Sequence, residues 1–435
     1  MFRMPTNLFI SGKNWRLSLA ELTSYFKARE IHFEIHFFSG EFFVLSFERD
    51  FEATTISGLG GTIKIAEVKA KFSTEIVKEA FLKKNKQAKT QIIESIASSG
   101  LVDGMTKSPE KVLFGVSVYC TESTLRSSSG VIQRFVGSAV KDFLADLGKK
   151  ANFMGFSNDR KLTQLSHVEV LKKNLVENNA EILFCIGRTE TWVGITVAVH
   201  NPFEFQKRDI YKPNQRNIFG MPPRLARIMV NLSGCKNGKV LLDPFCGVGT
   251  ILQEALLEKA IAVGMDVNPW CVKAAIENLQ WLIREYGLEG ADFRVLQGDV
   301  KKLLEKVGQE SMDCIVCEPD LGPALRQIPT GLYSKKIIQK LEPLYFGFVE
   351  KAYRALKPGG RLVLVTPYIK TRANEYITMP IDAKLVEFGF KRIYAFSKDM
   401  FSQSAGGLDN LIHTASLVEI DERHIIGRQI HILEK

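Results

Sequence analysis

Hydrophobic and polar positions follow two different rhythms along this chain, and the rhythm changes near residue 200. Up to about residue 70, strand-like runs such as HFEIHFF and EFFVLSFE accompany one stretch with helical spacing, SLAELTSYFKARE, in which Ser18 is followed three residues later by Glu21 as in a capping box. This predicts a small α+β unit over residues 1–70. Residues 71–200 add a Lys-rich helical stretch, the strand KVLFGVSVYC, the helix VIQRFVGSAVKDFLADLGKK and the strands AEILFCIG and WVGITVAVH, a second α/β unit. Beyond a connector at 201–222, strand and helix alternate strictly through 223–435, the pattern of a doubly wound parallel sheet. No internal repeat or low-complexity tract interrupts it.

Composition narrows the class. Hydrophobic residues at 45% and charged residues at 24% are ordinary for folded domains, and 435 residues suffice for two or three cores. No apolar run reaches the roughly 18 residues of a membrane span. The first residues lack the apolar core and small-residue site of a secretory signal. Seven scattered cysteines suit reduced thiols better than a disulfide framework, so a cytoplasmic location is expected. The net charge of +10 is concentrated: residues 201–240 hold eight Lys or Arg against Glu204 and Asp209. Tyr211, Phe219 and several prolines lie among those bases, a mixture that can meet phosphates and nucleobases together.

The chemistry sits in the last unit. KVLLDPFCGVGTILQEALLEK reads as a buried strand, a glycine loop and a helix, and AIAVGMDVNPW as a second strand ending in Asp266, 23 residues after Asp243. That spacing suits a carboxylate on ribose hydroxyls. Asn268 caps the next helix, with Pro269 in its first turn. The third glycine of a dinucleotide fingerprint is absent, as is a Lys-Ser/Thr phosphate pair. Asp243 at the loop entrance would repel a pyrophosphate and welcome an ammonium, which favours S-adenosylmethionine over NAD or ATP. A third strand, DFRVLQGDV, ends in Asp299, placed to accept an adenine amino group, and a fourth, MDCIVC, runs into Glu318, Pro319, Asp320, Leu321 and Gly322. Cys314 and Cys317 would point to opposite faces of that strand and cannot share a metal, so no metal is expected.

From Asp243 to Gly322 the chain resembles amino-methyltransferases with a first motif like DPFCGxGT and a fourth written Asp/Asn-Pro-Pro-Tyr/Phe. Upstream, FGVSVYC, FLADLGKKANFM, LSHVEVLKKNL and the run from IGRTETW to ARIMVNL are similar to a THUMP domain and connector of the tRNA guanosine N2-methyltransferases that modify position 10. The N-terminal unit resembles the ferredoxin-like domain preceding THUMP in that family. The resemblance implies that Asp243, Gly247, Gly249, Thr250, Asp266, Asn268 and Asp299 hold S-adenosylmethionine. It implies that Glu318 and Pro319 hold the target amine, with Asp320 and Leu321 standing where the family has Pro and an aromatic. It also implies tRNA as partner, which makes Lys172, Lys173, Arg208 and Lys212 candidate phosphate contacts.

A guanine 2-amino group is a poor nucleophile because its lone pair is delocalised. A carboxylate and a backbone carbonyl accepting its N–H bonds would direct that lone pair for in-line transfer. Leu321 gives up base–aromatic stacking, about 1–3 kcal/mol. Two alternatives stay open: a tRNA-binding protein that keeps the cofactor fold without turnover, and a methyltransferase for another nucleotide amine. A helper subunit is neither required nor excluded.

Overall fold

The computed structural model describes every residue except 1–3, 50–51, 108–110, 155–161, 217–219, 404, 406–407, 413–415 and 421–423. Its first half is built on one mixed sheet. The strands are β1 (Thr6–Ser11), β2 (Phe33–Phe38), β3 (Phe42–Phe47), β4 (Thr62–Ser73), β5 (Lys111–Cys120), β6 (Lys150–Met154), β7 (Glu181–Ile186) and β8 (Glu190–Val199), in spatial order β2-β3-β1-β4-β8-β7-β5-β6. Helices α1 (Trp15–Ala28), α2 (Thr74–Phe81), α3 (Lys86–Ala97), α4 (Ser129–Asp146) and α5 (His167–Lys172) pack around it. The boundary expected near residue 70 lies within β4, which pairs antiparallel with β1 on one side and with β8 on the other. A buried ion pair, Lys64 of β4 with Glu181 of β7, reinforces this join. Ser117 and Thr196 donate to Glu181 at 2.7 and 2.8 Å, so the carboxylate is fully occupied.

Helix α1 begins earlier than its capping pattern predicts. Asn14 caps it, accepting the Leu17 N–H at 3.3 Å, and Ser18 lies inside the helix, donating to Gly61 O at 2.8 Å. Glu21, expected to close a capping box, is fully buried and accepts the N–H groups of Gly60 and Gly61, each at 2.7 Å. Those donors are buried and need an acceptor, and this requirement outweighs the local cap.

Helices α6 (Pro202–Ile210) and α7 (Pro223–Leu232) lead into the second sheet. Its strands are β9 (Val240–Asp243), β10 (Ile261–Asp266), β11 (Phe293–Gln297), β12 (Met312–Cys317), β13 (Leu356–Lys370), β14 (Tyr376–Thr378), β15 (Lys391–Arg392), β16 (Leu417–Glu419) and β17 (Ile426–Glu434). The main path is β11-β10-β9-β12-β13-β17-β15, parallel from β11 to β13 with β17 antiparallel. Helices α8 (Thr250–Leu257), α9 (Pro269–Tyr286), α10 (Leu303–Val307) and α11 (Gly331–Ala355) cover its faces. Successive strand residues alternate between two cores: Cys314 and Val316 face the side of α7, α8 and α9, while Ile315 and Cys317 face α11. The chain runs outward from β9 through β11 and returns to β12 on the other side of β9. The carboxyl ends of β9, β10, β11 and β12 therefore share one edge at a topological switch point.

The halves share one apolar core, in which Phe26 and Leu22 of α1 join Met229 and Leu232 of α7. Asn231 donates to Glu21 at 2.8 Å, and Lys236 donates to Ala28 O at 2.7 Å across this seam. Among the described residues no helix is long and apolar enough to cross a membrane, and no three metal-ligating side chains gather.

Candidate active site at the switch edge

Strand β9 delivers Asp243 into the interior, where it is 2% exposed. One carboxylate oxygen accepts the Phe245 N–H at 3.1 Å, and no cation lies within ion-pair distance among the described residues. Burial pushes this carboxyl well above the ordinary range. A buried acid without a counter-ion fits a site that receives a cation. The following loop turns through left-handed Gly247 and Gly249, with φ of +51° and +88°. At Gly249 a Cβ would stand 3.3 Å from that of Ala275, so both conformation and space call for glycine.

Asp266 fastens the loop to the next strand. Its two oxygens accept the N–H groups of Gly247 at 2.9 Å and Asn268 at 2.8 Å, which leaves outward lone pairs for hydroxyl donors. Asn268 caps α9 by accepting the Trp270 N–H at 2.9 Å. Asp299 is exposed at the end of β11 and accepts the Lys301 N–H at 2.9 Å. Thr250 opens α8 and is buried. All seven expected cofactor residues thus lie at the strand ends and first turns of one edge, and their chemistry fits S-adenosylmethionine: acids for ammonium, hydroxyls and adenine around a glycine loop.

The fourth strand end is not free. Glu318 is gripped by the guanidinium of Arg428, through Nε and through Nη2 at 3.3 Å, and Arg428 also reaches Glu419 at 3.2 Å. Arg428 lies on β17 opposite Pro367 of β13 and Glu419 of β16. Sequence reasoning missed it. The available signal was a lone Arg within the strand-like IIGRQIHIL. Pro319 is buried. Asp320 closes a turn by accepting the Gly322 N–H at 2.9 Å, and buried Tyr345 donates to its backbone oxygen at 3.0 Å. Gly322, with φ of +104°, fills a position where a Cβ would lie 2.8 Å from Ile337. Leu321 packs partly buried against the main apolar core instead of standing clear as a stacking platform.

The connector required a correction. Arg208 and Lys212, expected on phosphates, are buried at 4% and 6% exposure. Arg208 Nε donates to Glu254 Oε1 at 2.7 Å and Arg227 Nε to Oε2 at 2.8 Å, so the α8 carboxylate draws the basic side chains inward. Lys212 Nζ donates to Thr250 Oγ1 at 3.1 Å. Lys172 and Lys173 are exposed at the end of α5, which carries a true capping box from Ser166 and Glu169. Tyr211 is exposed, and Phe219 lies outside the described residues.

The edge lies within a stretch that is similar to known proteins. Residues 213–390 match a methyltransferase family. Its description is RMKL-like, methyltransferase domain. A tRNA (guanine(10)-N2)-dimethyltransferase of Methanothermobacter thermautotrophicus is 38% identical over 160 residues, 36% of this chain and 42% of that protein. One from Pyrococcus abyssi is 29% identical over 201 residues, 46% of this chain and 55% of that protein. The U6 snRNA (guanine-N(2))-methyltransferase THUMPD2 of Bos taurus is 32% identical over 148 residues, 34% of this chain and 25% of that protein. The chain therefore spans about half or less of these relatives' lengths. The crystal structure of TrmN from Thermus thermophilus aligns over 100% of both chains with a TM-score of 0.49 and 16% identity.

Proposed function

We propose that this chain is an S-adenosylmethionine-dependent tRNA methyltransferase acting on the exocyclic 2-amino group of a guanosine, at position 10 of the tRNA. The observation that carries the reading is the set of acids Asp243, Asp266, Asp299 and Glu318 on one sheet edge, within the stretch that matches the methyltransferase family. When bound, S-adenosylmethionine supplies an electrophilic methyl group. Asp243 takes the ammonium of its aminoacyl end, Asp266 the ribose hydroxyls and Asp299 the adenine amine. Glu318, held by Arg428, offers its remaining lone pairs to one amine N–H while the Pro319 backbone oxygen accepts the other, directing the nitrogen lone pair toward the methyl group. The base enters flipped out of the RNA, since its amine is otherwise enclosed by pairing.

The first half acts as an RNA grip of ferredoxin-like and THUMP type, with Lys172 and Lys173 meeting phosphates. Seven buried, unpaired thiols support a cytoplasmic protein. The ion pair on Glu318 also supports a second reading, an RNA-binding protein without turnover, because Arg428 occupies the carboxylate that would hold the amine. Labelled methyl transfer to unmodified tRNA, followed by nucleoside mass spectrometry, separates the two. N2-methylguanosine formed by wild type, with single-turnover rates reduced at least about a hundredfold in Glu318→Gln, supports the enzyme. No transfer despite tight cofactor and tRNA binding establishes the binder.

A further inference from the structure

Six charged side chains, four cations and two acids, crowd the region where the connector meets α8, and among the described residues one of the cations is left without an ion pair. Glu254 is shared by Arg208 and Arg227, and Glu258 by Arg227 and Arg29. Lys212 lies beside them at 6% exposure, yet no carboxylate comes within ion-pair distance of it among the described residues. Asp209 and Glu254 act on it only from farther away, and burial lowers its pKa against their pull. Its single recorded hydrogen bond goes to Thr250 Oγ1 at 3.1 Å, the first side chain of α8. An ammonium has three donors, so two remain for another acceptor. An uncompensated buried cation is costly, and the arrangement is explained by an anion that arrives later.

The anion's identity follows from the other end of the same loop. Residues 243–250 begin with Asp243, a buried acid without a cation, and end with Thr250 beside Lys212, a buried cation without an acid. Phosphate would be repelled by Asp243, and a simple amine would gain nothing from Lys212. An α-amino acid group carries both charges. We propose that Lys212, steadied by Thr250, forms the subsite for the α-carboxylate of the cofactor's methionine end, opposite Asp243, which receives the α-ammonium.

This inference rests on S-adenosylmethionine as the ligand, and a compound lacking only the carboxylate tests it separately. Calorimetry of the full chain compares S-adenosylmethionine with its decarboxylated form. Wild type binds the former at least about tenfold more tightly. Lys212→Met removes that preference by weakening S-adenosylmethionine at least about tenfold, while affinity for the decarboxylated form stays within about twofold. Melting of the ligand-free Lys212→Met protein is unchanged or raised, because an unpaired buried charge has gone. Thr250→Val repeats the selective loss at smaller amplitude, an independent readout should the first variant not fold. Equal binding of both ligands by wild type, or equal loss of both in Lys212→Met, overturns the carboxylate role and leaves the cofactor reading standing. Wild type that binds neither ligand overturns both.

Discussion

Replacing Arg428 by Met keeps most of the side-chain stem and removes the guanidinium that grips Glu318 and reaches Glu419 at 3.2 Å. Taking one partner from a buried ion pair costs about 3–5 kcal/mol, mainly because the other charge is left desolvated. The side chains of Arg428, Glu318 and Glu419 are 7%, 13% and 24% exposed, so partial hydration favours the lower end, about 3 kcal/mol. In urea this appears as a midpoint lowered by about 1 M or less at unchanged slope, because the slope grows with chain size. The sharper assay is a double-mutant cycle with Glu318→Gln, which removes the charge that Arg428 answers. If the pair is formed as described, Glu318→Gln costs little once Arg428 is Met, and the coupling energy reaches at least about 1.5 kcal/mol. Effects additive within about 0.5 kcal/mol would refute the pairing and free Glu318 for a role independent of Arg428.

Two further outcomes are expected. Burial raises the Glu21 carboxyl from 4.5 to about 7, so between these values the folded chain holds a proton that the unfolded chain does not. Stability from this group is therefore greatest below the window and falls as pH rises through it. Relative to Glu21→Gln, wild type should lose about 3 kcal/mol between those limits in urea unfolding, and parallel pH profiles would contradict it. Lys172→Ala with Lys173→Ala should weaken tRNA binding and flatten its salt dependence by up to about two units of slope, measured by filter binding from low to moderate salt. An unaltered slope would place both lysines on an idle surface.

The acidic edge was legible because its information is local. A buried strand run followed by Asp243 and two glycines, or by Asp266 and Asn268, states its turn within a few residues. Arg428 could not be read that way, since its partner Glu318 lies just past the end of another strand, 110 residues away. Ser18 and Glu21 show the opposite error: their spacing satisfies a capping rule, but Gly60 and Gly61 present buried donors that only the tertiary fold brings near. Arg208 and Lys212 looked like a basic surface because charge counts carry no depth. One clue was present in TILQEALLEK, where Glu254 falls on the buried face of an apolar helix and so calls for a buried cation. The boundary expected near residue 70 cut through β4 because a strand with two neighbours is not distinguished by sequence from one with a single neighbour.

That shared strand has a mechanical consequence. Units joined by a flexible tether sample a range of separations, and a substrate bridging them selects one. Here the first-half sheet is continuous through β4, and its α1 face is packed onto the second half at α7. The span from the exposed end of α5 to the acidic edge is fixed by backbone ladders and packed side chains rather than by tether length. Under the proposed function the molecule would work as a gauge: an RNA held at one end would present to the other only the nucleotide at the matching distance. Sequence around that nucleotide would then not need to be read at all.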